Sequence, residues 1–210
     1  ESKTATLTLT LTATALASLA GAAEKPDVAE LIAHIKSTDD KVRGPAWQSA
    51  GSAGAPAIQP LSEVMTHSDF EIARSAKRGL WKIVRHAGRP GAPAEAQAVE
   101  KELIPLLSSA PAVVRREVLW MLSEIGSDNA VGPMSVMLAD KEVREDARCS
   151  LERVPGQKAV AALKEAFAAA PEDFKSNLAH SLRVRGETVA GYPTKKLVPA
   201  KQTTVKQPTL

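Results

Sequence analysis

Residues 140–156 read DKEVREDARCSLERVPG, and this stretch carries the pattern that decides the fold. Apolar or small residues stand at offsets 0, +4, +8 and +11 from Val143, and Gly156 follows them. These offsets lie on one narrow face of a 3.6-residue helix. A glycine just beyond them suits the left-handed conformation with which many helices end. The stretch therefore predicts one amphipathic helix with its own stop signal.

The same template recurs along the chain, which makes it a repeat. Further copies start at Val42, Ile72, Val114 and Phe174. The interval after Ile72 is longer than the others, and a loop at residues 86–93 accounts for it. In the last copy Arg185 takes the +11 position, where an apolar residue is expected.

A second apolar segment precedes each copy. Its members are Val28/Leu31, Ile58/Leu61, Leu103 to Leu107, Val131/Met134 and Val160/Leu163. Between the two segments of each unit stand Asp, Ser, Thr or Pro, which favour helix starts. Alanine, the best helix former, is abundant, and aromatic residues make up only 3% of the chain. The sequence thus predicts an all-α fold, an α-solenoid of about five antiparallel helical-hairpin repeats.

The recurring Asp-x-x-Val-Arg-x-x-Ala-x-x-x-Leu of residues 140–151 resembles bacterial HEAT-like repeats of the short, phycobilisome-lyase type. Asp39 to Arg43 and Val114-Arg115 repeat part of it, and Lys175 holds the arginine position of the fifth copy. Pro60, Pro105 and Pro133, in the first helices, are also similar to HEAT units. The resemblance implies that the second helices line the concave surface of the solenoid. It also implies an Asp–Arg contact between neighbouring units, which the second copy (Ala73) and the third copy (no turn aspartate) are expected to lack.

Three segments are expected. Residues 1–23 have the order of a secretory signal peptide, with a lysine, an uncharged apolar stretch and then Ala20-Gly21-Ala22-Ala23. Because the chain begins at Glu1, we expect this signal to lack its first residues. Residues 24–185 form the repeat domain, and residues 186–210 form an extended or disordered basic tail. Alternatively, part of this tail caps the last repeat.

The net charge, the single cysteine and the spacing of the histidines exclude several classes of function. The formal net charge of +3 equals that of residues 186–210, where four lysines oppose Glu187, so the repeats are neutral. A nucleic-acid-binding protein would have a basic body, so no nucleic-acid partner is expected. The single cysteine, Cys149, excludes an internal disulfide, and the four histidines show no metal-ligand spacing. No catalytic residue, metal or cofactor is predicted, and no membrane span is expected in the mature chain.

One group of residues points to binding. Offsets +2, +6 and +9 of each second helix lie opposite its core face. In the second and third copies these positions, with one further turn, hold Arg74, Arg78, Trp81, Arg85, Arg116 and Trp120. Arginine and tryptophan are enriched at interface hot spots. The alternative is that Trp81 and Trp120 pack between adjacent helices, and Trp47, beside the buried face, is interpreted as structural.

These observations predict a bacterial, non-catalytic scaffold, periplasmic or secreted, that binds a protein or peptide partner on its concave surface. One alternative is a structural or assembly subunit of an envelope complex. Another, implied only by the repeat resemblance, is a bilin-lyase-like enzyme, although export argues against it.

Overall fold

The computed structural model describes residues 26–193 of the chain, which form paired antiparallel helices. The first helices of the pairs and the second helices alternate along the chain. In chain order the helices are α1 Val28–Ile35, α2 Asp40–Ser49, α3 Ile58–Val64, α4 Phe70–Ala87, α5 Pro93–Leu103, α6 Leu106–Ser109, α7 Ala112–Ile125, α8 Asp128–Val136, α9 Arg144–Arg153, α10 Gln157–Ala169 and α11 Glu172–Val184. Short 3₁₀ turns follow α2 and α8, and another precedes α3. The predicted signal peptide and residues 194–210 of the predicted tail lie outside the described residues.

The helices form two layers of a solenoid, which confirms the predicted fold class. Second helices α2, α4, α7, α9 and α11 contact one another in succession, and each packs against the first helix of its own repeat. The third repeat has a broken first helix, α5 and α6, because Pro105 has no N–H to donate and its ring crowds the preceding turn. Each repeat therefore buries its apolar face against its neighbours.

Two of the aspartates between paired helices cap the helix that follows them. The Asp69 carboxylate accepts from the backbone N–H of Glu71 at 2.8 Å and of Ile72 at 3.2 Å, at the start of α4. Asp39 accepts from the N–H of Lys41 at 2.9 Å in the same way. These bonds satisfy donors that have no partner within the helix. The starts of α2 and α4 thus arise from local side-chain chemistry, whereas α7 and α11 begin directly after Pro111 and Pro171 without a side-chain cap.

The core follows the repeat template, with one error. All the +4 and +8 positions are buried; they are Ala46, Ala50, Ala76, Leu80, Val118, Leu122, Ala147, Leu151, Leu178 and Leu182. Val42, the predicted start of the first copy, is instead exposed. The next residue, Arg43, is 6% exposed, because it donates to the Ser37 carbonyl at 2.7 Å and to the Asp40 carboxylate. At this turn the side chain of Arg43 is therefore buried in place of that of Val42.

The predicted glycine stop signals are used in two ways. Gly54, Gly156 and Gly186 have positive φ angles of 67°, 95° and 83°, which residues with a Cβ rarely adopt. Gly88 and Gly126 do not. At Gly126 an added Cβ would lie 2.3 Å from a carbonyl oxygen of the preceding turn, so this glycine is required for a close approach of the backbone.

Arginine–aspartate contacts join neighbouring repeats. Arg144 donates to Asp173 of the fifth repeat at 2.8 Å. Arg115 donates to Asp140 of the fourth repeat at 2.6 Å, so the expectation that the third copy lacks this contact is wrong. The turn that lacks aspartate is the one before Arg115, whereas Arg115 reaches the aspartate of the following turn. In the second copy Ala73 carries no such donor.

The loop expected over residues 86–93 is shorter than predicted, because α4 continues to Ala87 and α5 begins at Pro93. Arg89 spans the connection and pairs with Glu95 at 2.6 Å. The long α4 consequently presents a longer outer face than any other second helix among residues 26–193.

Residues 186–193 return onto the last repeat. Arg183 donates to the carbonyl oxygens of Val189, Gly191 and Tyr192 at 2.6–3.0 Å. The Tyr192 hydroxyl donates to Glu172 at 2.7 Å, and its ring meets Phe167 edge-on at a centroid distance of 5.6 Å. This segment covers apolar surface that a following repeat would otherwise cover.

No helix in residues 26–193 is long and apolar enough to cross a membrane.

Candidate functional site

The α4 helix presents two opposite faces. Ile72, Ala76, Leu80 and Ile83 are buried against the neighbouring helices. Arg78, Lys82 and Arg85 follow one another at helical spacing on the other side, where Lys82 and Arg85 are exposed and Arg78 is half-buried. We call the outward side of α2, α4, α7, α9 and α11 the second-helix face.

Trp47 of α2 anchors the first part of this face. Its ring is half-buried and packs against the core. The Arg78 guanidinium lies over the ring at 5.0 Å from the centroid, and the Lys82 ammonium lies at 6.0 Å. A cation over an indole face is attracted by the negative electrostatic potential of the ring. Trp47 is thus both part of the core packing and the platform for two cations.

Trp81 carries the second stack and joins two repeats. The Arg85 guanidinium lies 5.3 Å from its ring centroid. The Trp81 Nε1–H donates to the Glu117 carboxylate of α7 at 3.0 Å, and Lys77 donates to the same carboxylate at 2.5 Å. The indole therefore has its polar group satisfied and one face available to Arg85.

The same junction recurs one repeat further on. The Trp120 Nε1–H donates to Asp146 of α9 at 2.9 Å, and Arg116 pairs with that carboxylate at 3.0 Å. Arg116 also donates to the Glu142 carbonyl at 2.8 Å. Glu117 and Asp146 both stand three residues after the start of their copies, so each accepts an indole and a cation from the preceding repeat. These paired junctions fix the register of the stack.

Beyond these junctions, charged and polar side chains of α9 and α11 bond to one another. Arg148 of α9 is held by Glu145 at 2.9 Å, by Glu152 at 3.4 Å and by the Ser181 hydroxyl at 2.6 Å. Asn177 of α11 donates to the same Glu145 carboxylate. Charges of both signs satisfy one another here. Few hydrogen-bond donors on the outward sides of α9 and α11 are therefore free to bind a partner.

The structure therefore separates the predicted site residues into two groups. Arg78, Trp81 and Arg85 share the outward side of α4. Arg116 and Trp120 belong to the repeat junction at Asp146. Arg74 pairs with Glu71 at 3.2 Å, and its guanidinium lies 5.9 Å from the ring centroid of Phe70, whose surface is 70% exposed.

Sequence reasoning missed Trp47 and Lys82 as members of the site. The +5 position of Trp47, beside the buried face, favours a structural role. Lys77 and Arg148 occupy the same +5 position in other copies, however, which is a signal that +5 also reaches the second-helix face. Lys82 stands at +10, outside the offsets +2, +6 and +9 that predict the outward side.

The Cys149 thiol of α9 has a shifted pKa, and the shift disfavours its nucleophilic form. Burial raises the pKa of the Cys149 thiol, and the neighbouring Arg148 opposes this shift. A raised pKa lowers the thiolate fraction, which is the nucleophilic form. Within the described residues no group of three or more His, Cys, Asp and Glu side chains is placed to hold a metal ion.

The comparisons with known proteins leave the family open. No family model and no curated protein matches the chain. Among solved structures it is similar to an engineered protein, at 22% identity and a TM-score of 0.39 over 76% of this chain and 79% of that one. It is also similar to a designed armadillo repeat protein in complex with the peptide (KR)4, at 18% identity and a TM-score of 0.41 over 73% and 80% of the two chains. A further designed armadillo repeat protein matches at 15% identity and a TM-score of 0.34 over 75% and 99%. At such TM-scores these matches carry no argument about what this chain binds.

Proposed function

We propose that this chain is a non-catalytic scaffold that binds a protein or peptide partner on the second-helix face, which would be the concave side in a HEAT-like solenoid. One observation carries the proposal. Among residues 26–193, Arg78 and Arg85 make no hydrogen bond or ion pair within the protein, and both lie over tryptophan rings.

Every other arginine in that range donates to a carboxylate, a hydroxyl or a backbone carbonyl. These arginines are Arg43, Arg74, Arg89, Arg115, Arg116, Arg144, Arg148, Arg153, Arg183 and Arg185. In a chain that uses its guanidinium groups so fully for internal contacts, two that are stacked but unbonded fit a surface meant for another molecule. Arginine and tryptophan together are typical of interface hot spots.

Export is part of the same proposal. The order of residues 1–23 supports a secretory signal, which would place the scaffold in the periplasm or outside a bacterial cell. Fusing residues 1–23, preceded by a start methionine and two lysines that complete the basic N-terminus, to an alkaline phosphatase that lacks its own signal tests this directly. An active fusion supports export, because this enzyme needs disulfides that form outside the cytoplasm, and an inactive fusion retained in the cytoplasm contradicts it.

Binding is tested with a charge-reversed variant. We expect a partner captured from the source cell envelope to bind the wild type and to be lost by Arg78→Glu/Arg85→Glu. A Lys36→Glu/Lys101→Glu variant is the matched control, since it makes the same change in net charge on exposed first-helix residues. Isothermal titration with the purified partner gives the affinities. A partner that binds the charge-reversed variant as tightly as the wild type contradicts the proposed site.

A further inference from the structure

The chemistry of the α4 surface narrows the kind of partner that it fits. Arg78, Lys82 and Arg85 form one row on the outward side of α4, which we call the α4 cation row. Among the described residues no carboxylate pairs with any of the three. Two acids of the second-helix face are already engaged, since Glu71 pairs with Arg74 and Glu117 pairs with Lys77.

The N–H groups of Arg78 and Arg85 remain available to bind a ligand. A guanidinium group lies over an indole with its flat face, whereas its N–H groups point outward from the edge in a fork. The guanidinium carbons of Arg78 and Arg85 lie 5.0 Å and 5.3 Å from the ring centroids of Trp47 and Trp81, and neither group makes a hydrogen bond or ion pair among residues 26–193. A carboxylate matches this fork with two parallel hydrogen bonds. The stacking also restrains both side chains, which lowers the entropy lost on binding.

The dimensions suit a short segment of peptide. Seven residues separate Arg78 from Arg85, which corresponds to about 10 Å along the helix axis. In an extended peptide, side chains two residues apart lie about 7 Å from each other on the same side. Two or three acidic side chains of one extended segment therefore span the row.

The surroundings argue against a long polyanion. The row is followed along the second-helix face by the Glu117 and Asp146 junctions and then by Glu145 and Glu152 around Arg148. A nucleic acid strand running along the face would meet these carboxylates, and the repeats as a whole carry no net positive charge. The basic surface is thus local to one helix.

We propose that the α4 cation row binds an acidic peptide segment of the partner, with Asp or Glu side chains bonded to the forks of Arg78 and Arg85 and to the Lys82 ammonium. This inference rests on the proposed function, because it names the ligand chemistry of the same surface. It predicts that binding depends on carboxylates in the ligand as well as on cations in the protein.

Selection from a random peptide display library on the immobilised full chain tests the inference. We expect the enriched peptides to contain closely spaced Asp or Glu residues. Their affinity should fall by about tenfold or more for Arg78→Gln/Arg85→Gln, since charge-assisted hydrogen bonds are lost. It should fall similarly when the Asp and Glu residues of the peptide are replaced by Asn and Gln. The Lys36→Gln/Lys101→Gln control should bind the peptides like the wild type.

The possible results distinguish a failure of the acidic-peptide inference from a failure of the proposed function. Enriched peptides without acidic residues that still lose binding to Arg78→Gln/Arg85→Gln overturn the inference and leave the proposed surface in place. Peptides that bind this variant as well as the wild type, or no enrichment at all, overturn both. A single-stranded oligothymidylate that displaces the peptides at equal concentration favours a nucleic acid ligand and also overturns the inference.

Discussion

Indole–carboxylate bonds are the residue-scale contacts that join the second helices. Trp81 and Trp120 each donate to an acid of the next repeat, at 3.0 Å and 2.9 Å. The sequence predicts that both tryptophans lie away from the core face, but it does not give their partners. Glu117 and Asp146 come next to the indoles only through the register in which successive repeats stack, and no local pattern encodes that register.

The Trp120–Asp146 bond is expected to contribute a measurable coupling energy. A double-mutant cycle of Trp120→Phe and Asp146→Asn should give a coupling of about 1 kcal/mol, as is typical of a partly exposed hydrogen bond to a charged group. Urea unfolding of the four proteins supplies the free energies. The cycle of Trp120→Phe with the distant Asp27→Asn is the control and should be additive. Additivity in the Trp120–Asp146 cycle itself would contradict the contact.

Asp173 is expected to titrate abnormally. The hydrogen bond from Arg144 holds the pKa of this carboxyl below its usual value of 3.8. A pKa that is lowered in the folded state stabilises the protein above the ordinary value, and this contribution is lost as the pH falls through the folded-state pKa. Carboxyl NMR titration should show a lower Asp173 pKa in the wild type than in Arg144→Met, because the variant loses the largest cause of the shift. Equal pKa values in the two proteins would show that the pair is not formed in solution.

At the scale of helices, a buried carboxylate ties α5 to the start of α8. Glu100 is only 3% exposed and accepts from the Ser127 backbone N–H at 2.7 Å and from its hydroxyl at 2.9 Å. Glu100→Ala removes two hydrogen bonds from the half-buried Ser127 to a charged acceptor, which costs about 1–3 kcal/mol. The urea midpoint should fall with an unchanged slope, whereas the exposed Glu63→Ala should leave it nearly unchanged. Equal midpoints for the two variants would contradict this role.

Helix positions were more predictable than helix ends. The spacing of apolar residues placed every second helix, since burying one face requires that period. The ends depend on side-chain chemistry that the period does not contain. Arg43 turns inward to bond Ser37 and displaces Val42, while Arg185, an apparent break in the pattern, donates to the Glu152 and Gly156 carbonyls at 3.1 Å and 2.8 Å.

At the scale of the whole molecule, the solenoid has to close its last repeat. Arg183 holds residues 189–192 against α10 and α11 through three carbonyl bonds. We expect Arg183→Gln to release this segment and to increase hydrogen exchange in α10 and α11, because a terminal repeat has only one neighbour. Exchange in α3 and α4 should not change. Uniform changes along the chain, or none in the last repeat, would contradict a capping role.

The distribution of paired and unpaired charges on the second-helix face depends on how the repeats stack. The sequence indicates that arginines and tryptophans share the second-helix face, and it identifies Arg78, Trp81 and Arg85 correctly as neighbours. It does not distinguish them from Arg116 and Trp120, because that difference depends on which cations find a carboxylate once the repeats are stacked. Among the arginines of residues 26–193, only Arg78 and Arg85 make no hydrogen bond or ion pair.

The three tryptophans allow ligand binding at α4 to be measured directly. Their indole N–H signals are resolved in a proton–nitrogen NMR spectrum and assigned with single Trp→Phe variants. Titration with a selected acidic peptide should shift the Trp47 and Trp81 signals, whose rings carry Arg78 and Arg85, and leave Trp120 nearly unmoved. A peptide that binds while shifting only Trp120, or none of the three signals, would contradict the account.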